Sequence, residues 1–233
     1  MDSIKPSNSS PLEQFSILSK YKQLDLAKLA LLFAMCEYPD LNIDEELQSL
    51  DSLASVAKTR INPDSDPISQ INALSEYLFD EVGFQGNYQD YYDPRNSFLN
   101  EVLNRRQGIP ITLSLLYIEV GKRLGIQLEG VGMPGHFLVR MKNDHAGLYI
   151  DPFHRGILLS QEECTKMLEA IAGQSIIWDQ NYLAPVNNIE LISRLIRNVH
   201  AIYIHRNETT KILTIEKYLL AAQSPIQDQI SKI

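Results

Sequence analysis

The hydrophobic period of the chain changes twice along its length, and that change constrains the fold more than any other feature. From Leu24 to Gly125 the apolar residues recur at helical spacing: Leu47, Leu50, Leu53, Ala54 and Ala57, then Ile68, Ile71, Leu74, Leu78 and Val82, then Phe98, Leu99, Val102 and Leu103. Between Ile126 and Asp151 the period drops to two, in Ile126 to Glu129, His136 to Met141 and Leu148 to Asp151, which predicts three short strands in succession. Lys142 to Gly147 reads as the hairpin loop between the last two. Helical spacing returns after the capping box Ser160-Gln161-Glu162-Glu163 and continues through Asn188 to His205 and Thr209 to Ala222. A parallel sheet would alternate strands and helices throughout, so the segregated order predicts an α+β fold with a small antiparallel sheet.

Local signals refine the elements. Leu24 to Met35 is the most apolar stretch, yet Asp25 and Lys28 interrupt it well short of the roughly 20 residues of a bilayer span, so it reads as a buried helix. Asn62 to Pro67 is a turn and helix start; its alternating Asp residues suggest a calcium loop, but the required Gly and distal Glu are missing and capping is the expected role. Gly83 and Gly108 are expected to stop helices and Asn96-Ser97 to start one. Phe84 to Pro94 reads as an ordered loop whose tyrosines, Tyr88, Tyr91 and Tyr92, pack on the core; stacking of bases is the competing use. Pro110 occupies the favoured first turn of a largely apolar helix ending at Gly125.

Charge and cysteine content remove several classes of function. Twenty-one basic against 29 acidic residues give a net charge of −8, which argues against nucleic acid as a partner. Two cysteines, Cys36 and Cys164, build neither a disulfide framework nor a multi-cysteine zinc site, and a cytoplasmic location fits. Residues 1–16 carry neither a basic nor an apolar leader segment and read as a flexible N-terminus. Gly130 to Gly135 satisfies G-x-G-x-x-G, but a proline lies inside it and a strand follows, where a dinucleotide site needs a helix; it reads as a turn between strands. A hairpin would bring His136 and Asp151 to one open end, where a carboxylate can orient an imidazole as a general base; a purely structural hydrogen bond is the bland alternative. His154 adds the possibility of a two-His, one-carboxylate metal face, whereas His200 and His205 are expected at the surface.

Asn96 to Leu103, Arg105 to Leu113, Arg123 to Gly125, Gly130 to Arg140 and Tyr149 to Phe153 together resemble the SirB-type subgroup of the transglutaminase-like superfamily, and Pro185 to Ala222 resembles the tetratricopeptide-like tail that follows its core. The resemblance implies a helical region at 17–83, a papain-like core at 84–180 with its sheet on a central helix, and a helical tail at 181–233 that packs on the core. It also implies a Cys at a helix N-terminus, a His on one strand and an Asp on the next. His136 and Asp151 match; the register of the Cys falls on Pro110. Cys36, Cys164, Thr112 and Ser114 are weighed as substitutes, with core packing or bonding to backbone carbonyls as the bland roles.

The expected function is a non-catalytic protein-binding or regulatory module that takes a peptide or protein partner. The alternative is a hydrolase or acyl-transfer enzyme using His136 and Asp151 without a thiol. Arg105, Arg106 and Tyr149 are binding candidates, the two arginines also suiting a helix C-terminus. No cofactor, metal or membrane is assigned, and the oligomeric state is open.

Overall fold

A computed structural model of the chain describes residues 9–21, 24–142 and 147–223. Four helices open it: α1 (Pro11–Leu18), α2 (Leu26–Ala34), α3 (Ile43–Ala57) and α4 (Pro67–Ser75), the last continuing into a π-helical turn at Glu76–Glu81. Each has a polar start chosen by its sequence. Ser10 and Glu13 form a capping box on α1, Asp25 caps α2, Asn42 caps α3, and the Asp66 carboxylate accepts from the Ser69 amide, so the acidic run before Pro67 is a cap. Gly83 follows at φ +87°, a left-handed position that glycine adopts without strain.

The middle of the chain contains β1 (Gln85–Gly86), a 3-10 turn at Pro94–Ser97, α5 (Leu99–Arg105), β2 (Gln107–Gly108) and α6 (Pro110–Arg123). Two boundaries differ from the sequence reading. Asn96-Ser97 does not cap α5: the buried Asn96 carboxamide donates to the carbonyls of Asp90 and Tyr91 and accepts from Asn87, closing the loop, and the N-cap position belongs to Phe98. Gly108 does not stop the helix either; Arg106 does, at φ 57°, and Gln107-Gly108 then pairs in parallel with Gln85-Gly86. The tyrosines also divide: Tyr91 is partly buried against the core, while Tyr88 and Tyr92 are exposed.

A five-stranded antiparallel sheet follows, in the order β6-β5-β4-β3-β7, from β3 (Leu128–Val131), β4 (Leu138–Met141), β5 (Tyr149–Asp151), β6 (Ile157–Leu159) and β7 (Pro185–Val186). β3 lies two residues beyond its expected place, and β4 starts two residues after His136. The predicted 142–147 hairpin loop falls largely outside the described residues. Three further helices follow among the described residues: α7 (Gln161–Ala172), α8 (Asn188–His205) and α9 (Thr209–Gln223).

The sheet is covered on both faces. Leu128, Val139 and Ile150 join the main apolar cluster around α6, which is buried from Pro110 to Gly121. Val131, Leu138 and Leu159 instead join Met133, Cys164, Leu168 and Leu183 in a second cluster under α7. The main cluster runs from Phe15 to Ala222 and takes side chains from all three stretches distinguished above. The expected flexible range 1–16 takes in the start of α1, where Phe15 is fully buried and its ring meets Tyr218 of α9 edge-on at 5.1 Å; residues 1–8 lie outside the described residues. Tyr218 also packs on Phe33 of α2 at 5.5 Å, so the helical tail docks on the body of the fold. Among the described residues no helix is long and apolar enough to cross a membrane.

Candidate functional site

The site lies where β4 and β5 meet the start of α6. His136 enters from the turn before β4, with its amide bonded to the Met133 carbonyl, and Gly135 takes φ +73° to make that turn. The glycine motif is thus the strand-linking turn its context suggested. Gly130 allows the Phe137 ring to lie against β3, since a Cβ there would meet the ring at 2.8 Å. Arg194, from α8, secures the other side by donating to the carbonyls of Met133 at 2.6 Å and His136 at 2.8 Å, with its guanidinium 5.4 Å from the centre of the Phe137 ring. Nothing in the sequence spacing announces this role for Arg194.

Asp151 is fully buried at the end of β5, and its two oxygens have separate tasks. Oδ1 accepts from the amides of Phe153 and His154 at 3.1 and 3.2 Å, capping the 3-10 turn Pro152–His154. Oδ2 accepts from Nε2 of His136 at 2.8 Å and from Nδ1 of His154 at 2.7 Å. The predicted pairing of His136 with Asp151 is present, and His154 makes it a trio. Burial alone would raise the Asp151 carboxyl, but the hydrogen bonds and charge of the two imidazoles outweigh it and hold the group down at about 2. The same contact raises His154, against the opposing effect of its partial burial. His136 thus has its Nε2 on Asp151 while the residue also lines the neighbouring cleft.

That cleft has a volume of about 830 Å³ and is lined by His136 and His154 together with Pro110, Tyr91, Phe153 and Ile171, among others. Pro110, the first residue of α6, thus stands in the same opening as His136. The other nucleophile candidates, Cys36, Cys164, Thr112 and Ser114, do not line this cleft. Cys164 is fully buried under the sheet, and burial, with the nearby charges of Asp151 and Glu163, pushes its thiol up to about 12. Burial likewise pushes Cys36 up to about 12. Thr112 donates to the Asn96 carbonyl at 2.7 Å, and Ser114 is directed to the Phe137 carbonyl at 3.4 Å.

The three binding candidates are not gathered here. Arg105 pairs with Asp93 at 3.4 Å, and Arg106 donates to the Val82 carbonyl at 2.8 Å while lining a separate groove between α3 and α5. Tyr149 packs against the cluster under α7. Of the remaining histidines, His200 faces Glu216 at 3.4 Å and His205 is exposed.

Residues 44–197 match the family described as the transglutaminase-like superfamily. A "UPF0162 protein" of Xylella fastidiosa is 38% identical over 187 residues, covering 79% of this chain and 66% of the relative. A protein of the same designation from Vibrio cholerae is 27% identical over 175 residues, 75% of this chain and 64% of its own length. Human "F-box only protein 21" is 35% identical over 137 residues, 55% of this chain but 21% of that protein. The chain therefore spans just under two thirds of its bacterial relatives. No solved structure matches it. The breadth of the family match, set beside the sheet, the central helix and the His136–Asp151 pair, establishes that the chain belongs to the transglutaminase-like superfamily.

Proposed function

We propose that the protein is a transglutaminase-like domain without thiol catalysis, which uses its cleft to hold a peptide or protein partner. The observation that carries this reading is Pro110. It stands at the start of α6 in the wall of the His136 cleft, where the superfamily layout calls for the nucleophile, and it offers no reactive atom. A thiol there would gain from the helix N-terminus and from an adjacent imidazolium; Cys36 and Cys164 do not line that cleft, and burial raises both. The likeness to an F-box only protein gives a protein-binding role some support. The SirB-type assignment, a tetratricopeptide-like tail and a cytoplasmic location are part of this proposal. In the tail, α8 and α9 make one hairpin, which packs on α1 and α2 and so borrows the neighbours that an isolated repeat lacks.

The test is a paired labelling experiment with iodoacetamide and a thioester acyl donor. The native chain should show no acyl transfer and slow labelling. Pro110→Cys, which places a thiol beside His136, should be labelled at least about tenfold faster at neutral pH, as expected for a thiol lowered by an imidazole and a helix terminus. Turnover by the native chain, or a Pro110→Cys thiol as slow as Cys164, would refute the proposal.

A second reading, an enzyme using His136 and Asp151 as a base that activates water, draws on the intact 2.8 Å pair in an open cleft. Hydrolysis of an ester or amide that disappears in His136→Ala would favour it.

A further inference from the structure

Positioning one general base takes one imidazole and one acceptor. Here a single carboxylate oxygen is shared by two rings, which approach through different nitrogens: Nε2 of His136 at 2.8 Å and Nδ1 of His154 at 2.7 Å. The donor atoms of His136, Asp151 and His154 all lie within 4.8 Å of one another. Among the described residues this is the only cluster of three His, Cys, Asp or Glu side chains so arranged.

We infer that His136, Asp151 and His154 form a binding site for a divalent transition-metal ion, of which zinc is the representative. The donor set suits it: two imidazoles and one carboxylate favour zinc and its neighbours in the first transition row over magnesium or calcium, which prefer oxygen. The carboxylate is aimed in advance, because the amides of Phe153 and His154 tie Oδ1 and leave Oδ2 turned to the rings. Zinc bonds of roughly 2.0–2.1 Å in a tetrahedron require donor atoms about 3.4 Å apart, so each ring nitrogen must move about half an ångström from Oδ2, and the two nitrogens, within 4.8 Å of each other, must settle at the same spacing. His136 and Asp151 are buried, whereas the His154 side chain is 39% exposed, which gives an ion a path of entry. The three protein ligands leave a fourth position facing the cleft, open to water or to a donor atom of a partner.

The inference goes beyond the partner-binding reading and does not depend on it, since labelling of Pro110→Cys is measured on chelator-treated protein. The test is titration of the chelator-treated full chain with zinc by calorimetry, in competition with a chromogenic chelator. One zinc per chain should bind, and excess magnesium should not displace it. His154→Ala, the variant least able to disturb folding, should weaken binding by at least about tenfold, the scale on which even indirect metal contacts count. His200→Ala, outside the cluster, should leave affinity unchanged. Cobalt supplies a second readout: the intense visible bands of a four-coordinate ion should appear in the native chain and vanish in His154→Ala. Absence of saturable binding, unchanged affinity in His154→Ala, or an equal loss in His200→Ala would overturn the inference.

Discussion

Replacing Asp151 with alanine removes four acceptor contacts at once, and their costs should be ordered by burial. The bonds from His136 at 2.8 Å and from the amides of Phe153 and His154 at 3.1 and 3.2 Å are shielded from water, while the bond from His154 belongs to a half-exposed ring. A hydrogen bond to a charged group is worth about 1.5–3 kcal/mol, and the values do not add in full. After the change His136, 6% exposed, keeps a buried N–H with no acceptor, a further penalty of about 1–3 kcal/mol. Asp151→Ala should therefore cost about 3–5 kcal/mol, a large share of the ~5–15 kcal/mol that holds a domain together. Asp151→Asn keeps an oxygen for the two amides and replaces charged bonds with neutral ones, so it should cost about 1–2 kcal/mol. His154→Ala should cost about 1 kcal/mol or less, because water reaches the vacated side. The assay is urea unfolding at pH 7 in the presence of chelator, with His136→Ala added to close a double-mutant cycle. The two buried partners should show coupling, since losing the imidazole removes the penalty of leaving it unpaired. A loss below about 1 kcal/mol for Asp151→Ala, or a His154→Ala loss equal to it, would refute this account of the site.

At high pH the fold should weaken, because burial raises the thiols of Cys36 and Cys164 to about 12 and raises the phenols of Tyr117, Tyr203 and Tyr218. Groups raised on folding contribute stability that is complete below their unfolded values, 9.0 and 10.0, and is lost as the pH climbs through the folded ones; denaturant midpoints measured from pH 8 upward should fall, and a flat profile would contradict the burial. Phe15→Ala should cost about 3–5 kcal/mol and speed amide exchange in both α1 and α9, because the fully buried ring joins the two through Tyr218. Gly130→Ala forces a Cβ to within 2.8 Å of the Phe137 ring and 3.3 Å of Val186. It should cost about 1–3 kcal/mol by overpacking and shift the NMR resonances of His136, the chain neighbour of Phe137; unchanged His136 signals would show that the ring relaxes without moving the turn.

Much of this architecture is legible in the sequence, and the failures have physical causes. Long elements are readable: α6 and α8 carry enough turns for their period to show, Gly125 marks the end of α6, and the capping box at Ser160 marks the start of α7. Four strands lie outside the sequence reading: β1, β2 and β7 have two residues each and β6 three, too few for a clear alternation, and they exist because backbone groups such as the Gln85 amide find a partner in the Arg106 carbonyl. An Asx before an apolar run is the usual sign of a cap, but the Asn96 carboxamide is taken by the loop ending at Pro94, a tertiary use that local pattern does not reveal. His154 was seen as a metal candidate, but its bond to Asp151 depends on a 3-10 turn that folds the ring back onto the residue capping it. Arg194 lies 58 residues from His136 in the chain, and contacts at that separation leave no periodic trace.

The persistence of the His136–Asp151 pair does not by itself argue for catalysis. Both side chains are buried, and each meets its polar needs largely through the other, through His154 and through the turn amides. Removing Asp151 would strand the buried His136 imidazole and two turn amides, so the carboxylate is held in place by folding stability whatever happens in the cleft. No such constraint acts on the residue opposite. The first position of α6 lines an opening of about 830 Å³, and its side chain is buried without a polar partner to satisfy. Proline suits that start because its φ is fixed near the helical value and its missing N–H costs nothing in the first turn. A thiol at the same place would have no such conformational advantage and would be kept for its chemistry. The proposed absence of thiol catalysis therefore rests on Pro110 rather than on the His136–Asp151 pair.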